Sequence, residues 1–335
     1  MAAQDFYTLK NAEKLQIITQ VAEQQNLPYF AIEKDWWVVQ TLDIIFQLDV
    51  ANHLLFKGGT SLSKAWQLIN RFSEDIDLVL NREYLGFDGG LISKSQVKKL
   101  REASFKFVTT IFYEALQKAF AEKGYTDVTF DFENLGDGDQ DPVSILIYYP
   151  AVTEHSEYVL PRVKVELGSR SLKDPCSNCE IASFVGEQFI ELPFADVPIT
   201  IPCVNPERTY LEKLFLLHEE FQKPKDKIRV DRLSRHLYDI TKIYNSKHKD
   251  KAYNQELIVA IIKYRERFNG MRGVDYSTLY PPNLNPIPPQ EFIKTWEEDY
   301  KTMQTNMIPE DSPSFKDLLE TVKQATKEYN ALKFE

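Results

Sequence analysis

The sequence has few of the features that mark secreted or membrane-spanning proteins. It contains three cysteines in 335 residues, and a small odd number argues against a disulfide framework. Cys176 and Cys179 form a single C-x-x-C without a second pair, which predicts two ordinary thiols in a loop rather than a zinc site. No apolar run reaches the length that a bilayer requires, and the first residues carry no charged-then-apolar signal segment. We therefore expect a cytoplasmic protein.

The chain also lacks an excess of positive charge. Its 40 Lys and Arg residues stand against 50 Asp and Glu, and the net charge of −10 excludes a generally basic surface for polyanions. Basic residues are nevertheless dense in one region. They are Lys223, Lys225, Lys227, Arg229, Arg232 and Arg235, followed by Lys242, Lys247, Lys249 and Lys251. Because aspartates are interleaved with them, this region is either a solvated face or a local contact for nucleic acid.

The segment from Phe56 to Leu80 combines a glycine turn with two aspartates. An apolar strand runs into Gly58-Gly59, a short helix is predicted from Thr60 to Ile69, and a second strand carries Asp75 and Asp77. Alternate residues of a strand share a face, so the two carboxylates project together and repel each other unless a cation lies between them. Mg²⁺ prefers such oxygen ligands together with substrate phosphates.

The glycines supply the other half of the pattern. Gly58 and Gly59 allow backbone N–H groups to approach an anion, and the start of the following helix favours negative charge. An Asp-x-Asp pair or a Gly-Gly turn alone is common in solvated loops. Their combination in the order strand, Gly-Gly, helix and Asp-x-Asp strand indicates phosphoryl or nucleotidyl transfer on a nucleoside triphosphate.

Three segments of the chain resemble one protein family. Gly58–Leu62 followed by Arg71–Asp77 is similar to the signature of the AbiEii/AbiGii toxins, which belong to the DNA polymerase β-like nucleotidyltransferase superfamily. Asn205–Leu214, with its Pro-Glu-Arg-Thr and Glu-Lys-Leu elements, and Ser234–Ile240 resemble the two downstream motifs of that family. The resemblance spans residues 56–240.

This resemblance implies an α+β fold, with a polymerase β-like mixed sheet flanked by helices and then a helical C-terminal lobe. We expect a nucleotidyltransferase domain with N-terminal helices over residues 1–200 and a helical domain over residues 201–335. Prolines become dense from Pro193 to Pro206, which predicts the linker between the two lobes.

The resemblance also assigns roles to individual residues. Asp75 and Asp77 would bind Mg²⁺ or Mn²⁺, and Glu166 would be the third carboxylate of a two-metal arrangement. Alternation places Glu166 on one strand face with Arg162 and Lys164, so the alternative is an exposed face of mixed charge, with Asp131 or Glu133 as the third acid. Gly58, Gly59, Thr60 and Ser61 would bind the nucleotide. Lys213 would clamp the triphosphate, and Asp239 would be a site residue that orients Lys213.

The implied function is Mg²⁺-dependent transfer of a nucleoside monophosphate from an NTP to an acceptor hydroxyl. The family suggests the toxin of a type IV toxin–antitoxin or abortive-infection system, with an AbiEi-like antitoxin and an RNA acceptor, the tRNA 3′ end. Two other classes stay open at this point. One is a small-molecule nucleotidyltransferase of the antibiotic-modifying type, and the other is a catalytically inert binding protein.

Overall fold

The computed structural model describes residues 6–73, 75–90, 92–154, 160–169, 175–308 and 312–334. The chain divides into two compact units. The first comprises the chain up to Trp66 together with Phe72–Cys203, and the second comprises Gln67–Arg71 together with the chain from Val204 onward. Five residues between the Gly-Gly turn and the Asp75 strand, Gln67–Arg71, are therefore part of the second unit. Glu74, which falls within the predicted motif, lies outside the described residues.

Helices of the first unit lie where apolar periodicity predicts them. Apolar spacing predicts one long helix over residues 93–123, and the structure has two helices there, joined by a π-helical turn, Val108–Phe112; the first begins at a Ser93–Gln96 capping box. The helix predicted from Thr60 to Ile69 is shorter, since it begins at Gly58 and ends in a π-helical turn, Ser61–Ala65. The α-helices are α1 (Asn11–Gln25), α2 (Tyr29–Ile45), α3 (Gly58–Thr60), α4 (Lys94–Phe107), α5 (Tyr113–Glu122) and α6 (Phe184–Gln188), and short 3₁₀ turns cover Phe6–Thr8, Ala51–His53 and Arg82–Leu85.

The strands of the first unit form one mixed sheet. Its seven strands are β1 (Leu54–Lys57), β2 (Asp75–Leu80), β3 (Thr129–Phe132), β4 (Val143–Tyr148), β5 (Arg162–Gly168), β6 (Cys176–Ile181) and β7 (Ile199–Val204). They follow the order β3-β4-β5-β2-β1-β7-β6. Strand β2 pairs antiparallel with β1 and parallel with β5, while β1 pairs parallel with β7. The predicted α+β fold with a mixed sheet is confirmed.

The two faces of the sheet differ in chemistry. Helix α2 packs against β2 and β5 on one face, where the apolar residues of the strands and two tryptophans are buried. These are Ile76, Leu78, Val163, Val165, Leu167, Trp36 and Trp37. Because strand residues alternate, Asp75, Asp77, Lys164 and Glu166 lie on the opposite face. The core on one face thus fixes which residues the other face presents.

Two sequence-based expectations about this unit are wrong. The predicted linker contains strand β7, whose Phe56↔Cys203 register ties it to the central β1. The loop predicted around the C-x-x-C pair is strand β6, with Cys176 exposed and Cys179 buried. Residues three apart on a strand point to opposite faces, so these two thiols do not face a common metal site.

The second unit is helical. Its helices are α7 (Pro206–Phe221), α8 (Arg235–Tyr244), α9 (Lys249–Ala252), α10 (Gln255–Phe268), α11 (Ile293–Met307) and α12 (Phe315–Asn330), with 3₁₀ turns at Lys225–Lys227, Tyr276–Leu279 and Gln290–Phe292. Asn205 precedes Pro206 at the first position of α7, as predicted for a helix start. The proline-rich residues after Tyr280 form an extended strap, because Asn330 bonds both backbone groups of Leu284 and His218 accepts the N–H of Asn285. Within the described ranges, none of the helices is both long and apolar enough to cross a membrane.

Candidate active site

Four side chains from four neighbouring strands form a row across the polar face of the sheet. Register pairs Ser144 with Glu166, Glu166 with Asp77, and Asp77 with Lys57. Partners in register share a face and lie close together. In the next row along the strands, Asp75 pairs with Lys164. The sheet therefore brings together the three carboxylates that the sequence predicts, and it places one lysine beside each aspartate.

The glycine turn lies directly against this row. Gly58 has a φ of 81°, which favours glycine, and a side-chain carbon at this position would overlap the Asp77 carboxylate and lie 2.7 Å from its Cγ. The Asp77 side chain thus occupies the space that any other residue at position 58 would need. Gly58 is required here both by its backbone conformation and by the close approach of Asp77.

Asp77 is the electrostatic centre of the row. Burial, the neighbouring Glu166 carboxylate and Asp75 raise the pKa of Asp77 to about 7, against the opposing charge of Lys57. Asp77 and Glu166 are also linked by a side-chain hydrogen bond. Among the described residues, no three His, Cys, Asp or Glu side chains stand ready to enclose a metal ion.

Glu166 is held from its other side by a cation. Lys164 Nζ lies 2.8 Å from Glu166 Oε1 and 2.6 Å from Glu133 Oε2, and Ser144 Oγ donates to Glu166 Oε1 at 3.3 Å. Burial disfavours the ionised form of Glu166, but the hydrogen bond and charge of Lys164 outweigh it and lower its pKa. Glu133, an alternative third acid, is instead the shared partner of Lys164 and Arg162.

The hydroxyl groups after the glycines have different surroundings. Thr60 Oγ1 donates to the Asp75 carbonyl at 2.5 Å and can accept from Ser73 Oγ, which lies 3.1 Å away, so it holds the helix against the aspartate strand. Ser61 is also buried, and its hydroxyl lies beside the Cys203 thiol. The hydroxyl of Thr60 is thus engaged by the aspartate strand and that of Ser61 faces strand β7.

The predicted residues of the second unit also come together. Lys213 Nζ lies 3.0 Å from Asp239 Oδ2, and Arg71 binds the same carboxylate with two hydrogen bonds of 2.8 Å. Burial disfavours the ionised form of Asp239, but Arg71 and Lys213 outweigh it and lower its pKa strongly. Asp239 is therefore an ionised hub that orients two cations.

His236 completes this cluster and corrects one sequence-based interpretation. The sequence predicts a helix over about residues 230–244 with a polar stripe of Arg232, Arg235, His236 and Asp239, but His236 and Asp239 are buried. The Nδ1 of His236 lies 3.3 Å from Lys213 Nζ. Burial and the neighbouring Lys213 lower the pKa of His236 well below its usual value, so the ring is neutral and Nδ1 accepts from Lys213.

Sequence reasoning missed four residues that surround the predicted ones. Lys57 precedes the glycines and Lys164 shares the face of Glu166, but neither lysine was assigned a role. Arg71 lies inside the quoted motif and His236 inside the third segment. Their positions in those segments were the available signal, whereas their contacts depend on tertiary structure.

Comparison with known proteins identifies the family of the chain. A search of curated proteins found no match to the chain. The family model for the AbiEii toxin, described as a nucleotidyl transferase of a type IV toxin–antitoxin system, matches residues 41–321. That range contains both clusters, the sheet row and the Lys213–Asp239 hub. The chain therefore belongs to the AbiEii nucleotidyl transferase toxin family.

Proposed function

We propose that this protein transfers a nucleoside monophosphate from an NTP to a hydroxyl group of an RNA, in a reaction that requires Mg²⁺. Membership of the AbiEii family makes it a nucleotidyltransferase toxin with an antitoxin partner. The observation that best supports the chemistry is the row of Glu166, Asp77 and Lys57 beside Gly58. It combines carboxylates for a cation with a glycine turn for phosphates.

The residues of this row fit a divalent cation. Asp75, Asp77 and Glu166 supply hard oxygen ligands on one sheet face, and the mutual repulsion that raises the pKa of Asp77 is the repulsion that a cation relieves. When bound, Mg²⁺ would neutralise the triphosphate and stabilise the charge that develops on the transferred phosphoryl group. Glu166 would serve as a carboxylate of this site, and Lys164 favours its ionised form by lowering its pKa.

The nucleotide contacts are assigned residue by residue. Gly58, Gly59 and Ser61 would contact phosphates, while Thr60 positions the turn. Lys213 would bind the triphosphate. Two cations, Lys213 and Arg71, share the single charge of Asp239, so this cluster carries excess positive charge for an anion.

The acceptor is the part of the proposal that rests most on the family. An RNA 3′ end, that of tRNA, offers a free hydroxyl, and nucleotides added there would block aminoacylation. The basic region of the second unit could bind its backbone, but several of its cations have carboxylate partners. Lys223 and Arg229 both contact Glu220 at 2.7 Å, and Lys225 contacts Glu291 at 2.5 Å.

One labelling experiment tests the reaction and the acceptor together. The protein is incubated with each labelled NTP, Mg²⁺ and total cellular RNA, with Asp75→Asn as the inactive control. Label on RNA that requires Asp75 supports the proposal, and sequencing of the labelled ends identifies the RNA. Label on a protein or small molecule with RNA untouched would show that the acceptor is wrong, and no transfer from any NTP would contradict the chemistry.

The RNA contact needs variants that leave the fold intact. Reversing Lys223 would place a carboxylate beside the buried Glu220, so Lys227, Lys247 and Lys251 are the better targets because all three are exposed. A triple change of these residues to Gln should weaken RNA modification and reduce its salt dependence while NTP binding stays constant. Lys98, Lys118 and Lys294, exposed lysines on other helices, provide a control with the same change in charge.

A further inference from the structure

A buried ion pair holds the turn that follows the glycines. Lys64 lies in the π-helical turn Ser61–Ala65, and its Nζ makes an ion pair of 2.9 Å with Oδ1 of Asp35 on helix α2. Both side chains are almost completely buried, with 6% and 5% of their surface exposed. The ammonium group also lies over the Phe184 ring, 4.0 Å from its centre. One lysine thus connects the turn to helices α2 and α6.

The partners of Lys64 are themselves held in place. Asp35 Oδ2 accepts the Phe184 N–H at 2.7 Å, so its carboxylate binds the lysine and the first turn of α6 at the same time. Ser183 caps α6, and its own N–H donates to Asp196 Oδ2 at 3.0 Å. Asp35 therefore cannot reorient without breaking a contact of α6, and Lys64 is bound to a fixed acceptor.

A buried ion pair is an unusual means of holding a turn. Removing two charges from water costs free energy that apolar residues of similar size would not cost, and such a pair often stabilises a fold less than apolar packing does. Leu62 of the same turn is buried and already supplies apolar contacts. What Lys64 and Asp35 add is direction, because the ammonium group must stay within hydrogen-bond distance of the carboxylate while apolar side chains can slide. The pair therefore serves the position of the turn more than the stability of the fold.

The turn that Lys64 holds is continuous with the glycine turn. Gly58–Thr60 form α3 and Ser61–Ala65 follow directly, closed by a hydrogen bond of 3.2 Å from the Trp66 N–H to the Ser61 carbonyl. Turns of this kind are rare and frequently occur at functional sites. The residues after Trp66 belong to the second unit, so they do not hold the turn within the first. Thr60 fixes one end of the turn to the aspartate strand, and Lys64 fixes the other.

We propose that Lys64 is a positioning residue for nucleotide binding. Its ion pair with Asp35, here called the anchor, keeps the glycine turn in the conformation that receives the phosphates, and it does so without touching the nucleotide. This inference rests on the proposed function, which assigns the phosphates to Gly58, Gly59 and Ser61. The turn is then formed before the nucleotide arrives, and affinity depends on the fraction of time that it spends in that conformation.

A paired substitution removes the anchor without leaving a buried charge alone. In Asp35→Asn/Lys64→Met, the asparagine carbonyl can still accept the Phe184 N–H, and the methionine side chain can still pack on the Phe184 ring. Glu219→Gln/Arg265→Met is the matched control. That ion pair is equally buried, with Arg265 10% and Glu219 1% exposed, and it lies in the second unit.

Hydrogen exchange of the full chain without nucleotide, followed by mass spectrometry, measures the turn directly. Residues 58–66 should exchange at least about tenfold faster in Asp35→Asn/Lys64→Met than in wild type or the control. A turn that spends about a tenth of its time in the binding conformation raises the Kd of a fluorescent NTP analogue about tenfold. In the labelling assay, the KM for NTP should rise by the same factor while kcat stays within about threefold, because the turn holds the phosphates equally in the substrate and the transition state.

Unchanged exchange of residues 58–66, or an unchanged Kd, in the folded paired variant would overturn the proposal, as would the same changes in the control. Wild type decides the question even if the paired variant does not fold, because a turn formed in advance must exchange slowly without nucleotide. Exchange as fast as in the exposed residues 134–138 would overturn the proposal. Wild type that binds no NTP would contradict the proposed function instead, while the exchange data, which need no nucleotide, would still support or overturn the anchor.

Discussion

Gly58 and Asp77 lie so close together that the aspartate carboxylate fills the space where any side chain at position 58 would begin. The contact joins the glycine turn to the aspartate strand, because Lys57, which precedes the turn, is the direct register partner of Asp77. Two halves of the motif that look independent in sequence therefore form a single packed unit, and each constrains the geometry of the other.

Substitution of Gly58 should separate activity from stability. Gly58→Ala strains a backbone with φ of 81° and displaces the Asp77 carboxylate, so nucleotide transfer should fall by at least about 100-fold, as expected for a small displacement of a catalytic group. Gly86 has the same φ of 81° but nothing within 4 Å of an added carbon. Gly86→Ala should lose about 1 kcal/mol of stability and keep its activity. Equal activities in the two variants would refute the role of the contact.

Asp75 should be essential for transfer and dispensable for folding. Asp75→Asn removes one carboxylate from a repulsive group, so the free energy of unfolding should stay within about 1 kcal/mol of wild type. The rate of nucleotide transfer should fall more than about 100-fold. This exceeds the loss that is usual when a residue that only hydrogen-bonds to a metal ligand is removed. Asp131 lies in the same cross-strand row, beyond β4 and β5, and is exposed, so Asp131→Asn is the control and should be active. Wild-type transfer in Asp75→Asn or in excess EDTA would contradict the assignment.

Lys213 can be removed without leaving a buried charge unpaired. In Lys213→Met, Asp239 keeps both hydrogen bonds from Arg71, so thermal stability should change little. A charge-assisted hydrogen bond contributes about 1.5–3 kcal/mol, and NTP should therefore bind at least about tenfold more weakly in a titration with a fluorescent analogue. Lys242→Met removes a lysine from the next helix, α8, where it lies over Tyr238, and should leave NTP binding unchanged. Equal affinities for the two variants would exclude a triphosphate contact at Lys213.

Acid should destabilise the second unit through His218. Burial lowers the pKa of His218 to about 4, while the unfolded value is about 6.5. Between these values His218 binds a proton in the unfolded chain but not in the native chain, so its contribution to stability is full above pH 6.5 and is lost as the pH drops towards 4, by up to about 3 kcal/mol. Nδ1 accepts from the Asn285 N–H, and protonation would remove that bond.

Urea unfolding of the full chain from pH 7 to pH 4.5 measures this effect. His218→Gln can keep the bond to Thr278, which lies 2.8 Å from Nε2, and it should flatten the pH dependence. His53→Gln in the first unit is the control and should retain the wild-type slope. If His218→Gln retains that slope as well, His218 is not the group responsible.

The sequence was sufficient for the parts of the fold that depend on local pattern. The order of Gly58-Gly59, helix and Asp75 strand, and the shared face of Arg162, Lys164 and Glu166, follow from alternation and turn chemistry, and both are present. Strand β7 was hidden because Ile199–Val204 is short and contains Pro202 among dense prolines, which favours a linker on local grounds. Only its pairing with β1 makes it a strand.

The candidate site could likewise be predicted only where it depends on local spacing. Asp75 and Asp77 could be named because their spacing is local. The contacts of Lys164 could not be predicted in this way. Lys164 and Glu166 alternate along their strand in the same pattern whether the face is solvated or lined by carboxylates from other strands. Arg71 and Asp239 are 168 residues apart, and no local sequence pattern predicts a contact over that distance.

Gln67–Arg71 belongs to the second unit although the residues on both sides of it belong to the first, and this affects the order in which the chain can fold during synthesis. Arg71 is synthesised early, yet its carboxylate partner Asp239 follows 168 residues later. Until then the ion pair between Arg71 and Asp239 cannot form, and closing so long a loop is slow compared with forming local helices. A ribosome-bound chain that already contains the whole sheet would therefore still lack the restraint on this segment. In a protein of a toxin family, that order of assembly would delay activity until translation of the chain is almost complete.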